Sequence, residues 1–226
     1  MKNILYLFTF IITVTAIAQT SSSVDIEKMK MKQALSYGDK SVAVSSMYSI
    51  IAMEGPKSVY KDSLAYLYFN ERNFVSCFLV TKDILVDKPA DVALLEMNTI
   101  SLESIGALEK ALEGYKTLLA KTNTNYQAYK VAGLEYQLDK LEDAYATIKK
   151  ASTLTHKENV KVTFQVNKNF NQSVDLKPAI IYLQGLIELD LKKNKEAKAS
   201  LEQAVALFPE FALAKSKLLT LETEQK

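Results

Sequence analysis

Acid–base and nucleophilic chemistry need histidines, activated thiols or hydroxyls, or paired carboxylates, and this chain of 226 residues offers few of them. His156 is its one histidine and Cys77 its one cysteine, which excludes a catalytic His pair, a multi-His metal site and an intramolecular disulfide. His156 falls at a turn, where a surface position is expected. Cys77 lies in a helical column of small residues, where a free thiol behaves as a small hydrophobe. Glu109 and Glu113 stand one helical turn apart, interleaved with Lys110 and Lys116. That spacing gives solvated helix pairing, whereas an acid–base dyad needs burial to split its two pKa values. The chain holds only six Gly, none gathered into a phosphate-cradling loop, and no Ser-centred nucleophile elbow. The residues predict no catalysis, no cofactor and no metal.

Binding chemistry is better supplied. Twelve Tyr and no Trp tilt the chain towards amphipathic contact residues, which bury area at low entropic cost. Net charge is only +2, from 28 basic and 26 acidic residues, and Arg72 is the single arginine. A nucleic-acid partner needs a local cationic excess and favours the planar guanidinium fork, so none is expected. Hydrophobic residues at 48% and charged residues at 24% are the balance of a folded chain.

The first residues read as an address. Lys2 precedes an apolar run over residues 4–17 broken by Thr9, Thr13 and Thr15, and Ala16 and Ala18 form a small-x-small cleavage pattern. A Sec-type signal peptide over 1–18 is expected, cut between Ala18 and Gln19 and followed by a flexible stretch over 19–23. The run is shorter than the ~20 residues needed to cross a bilayer, and no Cys stands at the cut for lipoprotein processing. The predicted location is periplasmic or secreted, with no stable membrane span.

Helices must position whatever binds, because a small residue recurs inside helical stretches at a fixed period. Ala43, Cys77, Ala111, Ala144 and Ala197 are separated by 34, 34, 33 and 53 residues, the last gap being one period plus an insertion. Four residues after each stand Met47, Thr81, Tyr115, Ile148 and Leu201, and seven after it Ile50, Ile84, Leu118, Ala151 and Ala204. Twelve before it stand Met31, Ala65, Thr99, Ala132 and Gly185. Offsets of four and seven share one helical face, and a small residue lets two helices approach closely. Gly55-Pro56, Pro89 and Pro209 close units.

This period and these columns resemble the tetratricopeptide repeat (TPR), best in 178–211 through Gly185, Ala197, Leu201, Ala204 and Pro209, although the family's Trp is missing throughout. The resemblance implies an all-α, right-handed helical solenoid of about five helix–turn–helix repeats. Repeats one to four span 24–157 and the fifth 178–211, with a capping helix over 212–226. It also implies a concave groove lined by the first helix of each repeat. Carried onto this register, the groove residues are Asp62, Tyr66, Phe69, Glu96, Glu103, Tyr126, Tyr129, Tyr136 and Tyr182. Repeats that clamp a partner's C-terminal carboxylate use Lys and Asn at fixed positions. Here those positions hold Lys28 and Lys32, then Asp62 and Tyr66, then Glu96 and Ile100, so a chaperone-tail clamp is not expected.

Within the insertion, 158–177, the period changes. Val160, Val162, Phe164 and Val166 alternate with Lys161, Thr163 and Gln165, a strand signal, and Asn167-Lys168-Asn169 is turn chemistry. The reading is a short β-hairpin projecting from the repeats, with Val162, Phe164 and Phe170 as contact residues. It would serve either as a lid over neighbouring helices or as an arm that adds a strand to a partner. The function expected is a protein–protein interaction scaffold in the bacterial envelope that holds a peptide or protein segment. A glycan-binding accessory module and a homodimer assembling through the hairpin are the alternatives.

Overall fold

The small-residue column determines where helices can touch, and the computed structural model, which describes residues 23–156 and 159–224, places it at every helix pair. The expected signal peptide lies outside the described residues. The helices run in order as α1 (residues 23–36), α2 (Lys40–Glu54), α3 (Tyr60–Asn70), α4 (Phe74–Asp87), α5 (Val92–Ser104) and α6 (Leu108–Thr122). They continue as α7 (Asn125–Gln137), α8 (Leu141–Ala151), α9 (Leu176–Asp190), α10 (Asn194–Leu207) and α11 (Ala212–Glu224). Strands β1 (Lys161–Asn167) and β2 (Phe170–Asp175) interrupt them before α9. The fold is the all-α helical repeat with a hairpin that the sequence predicts. Its odd-numbered members through α9 are first helices of a pair, A, and the even-numbered ones second helices, B. Two compact units divide the chain, one ending at Ser101 and the other beginning at Leu102. No helix among the described residues is long and apolar enough to cross a membrane.

Ala43, Cys77, Ala111, Ala144 and Ala197 are all 0% exposed, and the columns four and seven residues later are buried with them. The physical reason is clearest at Gly185. A Cβ there would lie 3.0 Å from Leu201 Cγ and 3.5 Å from the Ala197 carbonyl oxygen, so glycine lets α9 and α10 close to contact distance.

Every A helix ends in one and the same turn. Gly38, Arg72, Gly106, Asp139 and Lys192 have φ of 75°, 57°, 79°, 58° and 61°. The next residue's N–H reaches back five positions: Asp39 to Ala34 O (2.8 Å), Asn73 to Tyr68 O (2.9 Å), Ala107 to Leu102 O (2.9 Å), Lys140 to Glu135 O (2.8 Å) and Lys193 to Glu188 O (2.8 Å). These are Schellman C-caps, whose left-handed residue is normally Gly. The residue that closes the A helix also starts the B helix. Asp39 accepts from Val42 N–H at 3.1 Å and Asn73 from Ser76 N–H at 3.4 Å, each an N-cap.

In the second unit a carboxylate on each A helix is tied to a hydroxyl twelve residues on, in its B helix. Tyr115 donates to Glu103 Oε2 (2.6 Å), Thr147 to Glu135 Oε2 (2.8 Å) and Ser200 to Glu188 Oε2 (2.6 Å). Glu135 also takes Lys116 at 3.0 Å. Buried carboxylates are costly unless hydrogen-bonded, and at Glu135 and Glu188, each 2% exposed, these bonds offset that cost, while all three tie a pair's register.

The hairpin does not project. A two-stranded ribbon is marginal in water, and this one docks its inner face on the second unit. Val162 faces Val174 across the ladder and Phe164 faces Gln172. Val174 is fully buried, Val162 packs beside Ile180 and Leu176, and the Phe164 ring lies 5.6 Å from Tyr182 and 5.1 Å from Phe211. Gln172 donates through Nε2 to the Glu210 carbonyl and accepts the Ala212 N–H at 3.0 Å, so the hairpin caps the start of α11. The outer face pairs Lys161 with Asp175, Thr163 with Ser173 and Gln165 with Asn171, all exposed. Phe170, at the turn, is 50% exposed. The lid reading therefore describes Val162 and Phe164, and the outward contact is left to Phe170.

Candidate functional site

In the second unit the A helices carry five of the nine predicted groove residues, and three of these, Glu103, Tyr129 and Tyr136, line one cavity. The end of α5 supplies Glu103, α7 supplies Tyr126, Tyr129 and Tyr136, and α9 supplies Tyr182. A cavity of about 270 Å³ opens there, lined by Glu103, Tyr129, Lys130, Gly133, Tyr136, Leu183 and Leu186 among others. Tyr129, Gly133 and Tyr136 recur at four and three residues, which puts them on one stripe of α7.

Glu103 is the hub of its charge. Its Oε2 accepts from Tyr115 and its Oε1 takes Lys130 Nζ at 2.6 Å, while that ammonium stands 5.1 Å from the Tyr115 ring centroid. The pair is part-buried and neutral in sum, so the wall presents polar edges without a strong net field. Tyr136 donates to Asp190 Oδ2 at 2.6 Å. Burial, helped by Asp190, pushes its phenol pKa up. The Tyr129 phenol is likewise raised by burial first, then by Tyr126, Tyr182 and Glu103 nearby.

The other predicted residues have different settings. Tyr126 is half-buried against the α7–α9 core. Tyr182 is 6% exposed, its ring 4.8 Å from Phe211 and covered by Phe164 of the hairpin, so it supports the wall from behind. In the first unit Asp62 Oδ2 pairs with Lys88 at 2.6 Å beside a separate cavity lined by Pro56, Val59 and Ile84. Tyr66, Phe69 and Glu96 do not line that cavity. Tyr66 is 50% exposed, the Phe69 ring sits edge-on to Phe74 at 6.1 Å, and Glu96 is half-buried. Cys77 is buried, with its thiol pKa raised by burial, as a core cysteine should be.

Lys130, Gly133, Leu183 and Leu186 were not in the predicted set. Lys130 follows Tyr126 by four residues, so helical spacing alone was enough to find it. Leu186 stands in the same relation to Tyr182. Lys130 neutralises Glu103.

No protein-family model matches the chain, and no curated protein matches it in sequence. Solved structures do match. YrrB, a TPR protein with an unusual peptide-binding site, superposes with a TM-score of 0.63 over 83% of this chain and 87% of its own, at 11% identity. MamA superposes at 0.58 over 72% and 84%, at 15% identity. MamA 41-end from Desulfovibrio magneticus RS-1 superposes at 0.56 over 90% and 97%, at 13% identity. Likeness at such low identity is one of fold, and the chain accordingly has the fold of the tetratricopeptide-repeat proteins.

Proposed function

We propose that this chain is an exported tetratricopeptide-repeat scaffold that holds an extended peptide segment of a partner protein against the A-helix wall of its second unit. The observation that carries the reading is the cavity between α5, α7 and α9, where Glu103, Lys130, Tyr129 and Tyr136 present polar edges over an aliphatic floor of Leu183 and Leu186. A peptide offers both backbone donors and acceptors and apolar side chains, which is what such a wall can satisfy. YrrB, with a peptide-binding site on this fold, supports the same reading. A sugar would need an exposed aromatic face to stack on, whereas Tyr182 is buried and Tyr129 and Tyr136 are partly buried against the core. The charge pattern and leader at 1–18 support export to the bacterial envelope.

The test selects from a displayed random-peptide library with residues 19–226. Enriched peptides should bind wild type, and Lys130→Ala or Tyr136→Ala should each weaken them by about tenfold at a temperature where circular dichroism shows the variant fully folded. Peptides that bind both variants as well as wild type would rule the wall out. For export, N-terminal sequencing of the protein recovered from a periplasmic fraction should begin at Gln19.

A further inference from the structure

A second and larger cavity, about 480 Å³, lies on the loop side of the second unit, where the end of α8 meets the starts of α7 and α9. It shares no lining residue with the A-helix cavity. Its aliphatic lining, the floor, comes from Leu154, Ile180 and Ile181, and its polar lining from Ser152, Gln184 and Gln203 together with a rim of Asn125, His156 and Lys177.

The rim is held in place by more bonds than a surface turn requires. The segment carrying His156 forms a parallel bridge with the residue before α7, Thr155 against Thr124. Thr155 N–H donates to Asn123 O at 3.2 Å, and Asn125 N–H donates to Thr155 O at 3.0 Å. The Asn125 side chain then reaches the imidazole itself, Nδ2 to Nδ1 at 2.9 Å. The contact engages Nδ1 and leaves Nε2 as the ring's second polar atom.

Charge points the same way. No carboxylate lines this cavity among the described residues. Asp175, in the adjoining hollow that also borders His156 and Lys177, lies 3.9 Å from Lys161. Lys177 forms no ion pair among the described residues. A full cation and an imidazole therefore line a cavity that also holds an aliphatic floor and the polar side chains of Ser152, Gln184 and Gln203.

We propose that this cavity binds a small organic carboxylate with an aliphatic body. The carboxylate sits between Lys177 and the His156 imidazole, and the hydrocarbon lies on Leu154, Ile180 and Ile181. Both ends of the ligand are used: the charge-assisted bonds orient it and the floor removes its apolar surface from water.

The single histidine makes the experiment clean, because its ring proton signals report one place. Residues 19–226 would be titrated with 4-methylpentanoate, with the neutral isostere 4-methylpentanamide, and with inorganic phosphate. The acid should shift the His156 signals saturably, with a Kd on the order of 1 mM. The amide lacks the charge and phosphate lacks the hydrocarbon, so each should bind about tenfold more weakly. Lys177→Met should weaken the acid by about tenfold at unchanged melting temperature. Equal binding of acid and amide, equal binding of phosphate, unaltered affinity in Lys177→Met, or no saturable shift would each overturn the proposal. Should Lys177→Met fail to fold, the acid–amide comparison on the unsubstituted protein decides alone. Peptide binding at the A-helix wall is a separate measurement, so either result leaves that reading standing on its own test.

Discussion

Replacing Phe164 with alanine should loosen the hairpin and the last repeat together. The ring contacts Tyr182 and Phe211 at centroid distances of 5.6 and 5.1 Å, and Tyr182 and Phe211 contact each other at 4.8 Å. A fully buried Phe→Ala change costs about 3–5 kcal/mol. Phe164 is half-buried, which reduces that to about 2 kcal/mol. Two ring pairs are lost, each worth about 0.5–1 kcal/mol beyond area, so the total approaches about 3 kcal/mol. Phe170→Ala, in the same hairpin but 50% exposed, should cost less than about 0.5 kcal/mol. Urea unfolding followed by far-ultraviolet circular dichroism and tyrosine fluorescence measures both variants, the chain having no Trp to mask the tyrosines. If Phe164→Ala is no more damaging than Phe170→Ala, the hairpin is not held by that aromatic cluster and the docking argument fails.

Three further outcomes are expected. Arg72→Gly and Lys192→Gly relieve left-handed backbone at φ 57° and 61°, and each should add roughly 0.5 kcal/mol after the glycine's unfolded-state entropy is counted, read as a small rise in melting temperature. Two helical glycines should respond oppositely to alanine. At Gly133 a Cβ would meet only Leu183 at 3.9 Å, giving about 0.5–1 kcal/mol of added stability and a narrower A-helix cavity. At Gly185 it would strike Leu201 at 3.0 Å and cost about 1–3 kcal/mol, both measurable by denaturant melts. Stability should also fall at alkaline pH. Burial raises the phenols of Tyr68, Tyr129, Tyr136 and Tyr182 above their ordinary value of 10.0, so the folded state keeps protons that the unfolded chain loses. Their contribution is complete below pH 10 and declines as pH rises through the folded values, which unfolding free energies between pH 9 and pH 12 would trace, roughly 1.4 kcal/mol per proton per pH unit.

The repeat was legible because its signal is local and redundant: Ala43, Cys77, Ala111, Ala144 and Ala197 mark the same buried point, and columns at fixed offsets repeat it. The hairpin was legible because alternation over Val160–Val166 contradicts every neighbouring helix. Its docking was not, since Phe164 meets Phe211 across 47 residues of chain, and nothing near either residue records that meeting. The A-to-B turns were legible only at Gly38 and Gly106. Arg72, Asp139 and Lys192 adopt the same left-handed conformation without the glycine that would announce it, because the Schellman bonds on either side outweigh its modest strain. In the candidate site, the repeat register and the groove that the TPR resemblance implies led to Tyr129 and Tyr136. Lys130 went unnoticed because its role is set by Glu103, one repeat earlier.

A row of stacked repeats ordinarily frays from its ends, because a terminal repeat has one neighbour where an inner one has two. The hairpin changes that order of opening in the second unit. It gives the α9–α10 pair a cover on a further side, and through Gln172 it fastens the helix that follows. Amide protons of α9 and α10 should therefore exchange as slowly as those of α7 and α8, and the last repeat should resist proteases as an interior one does.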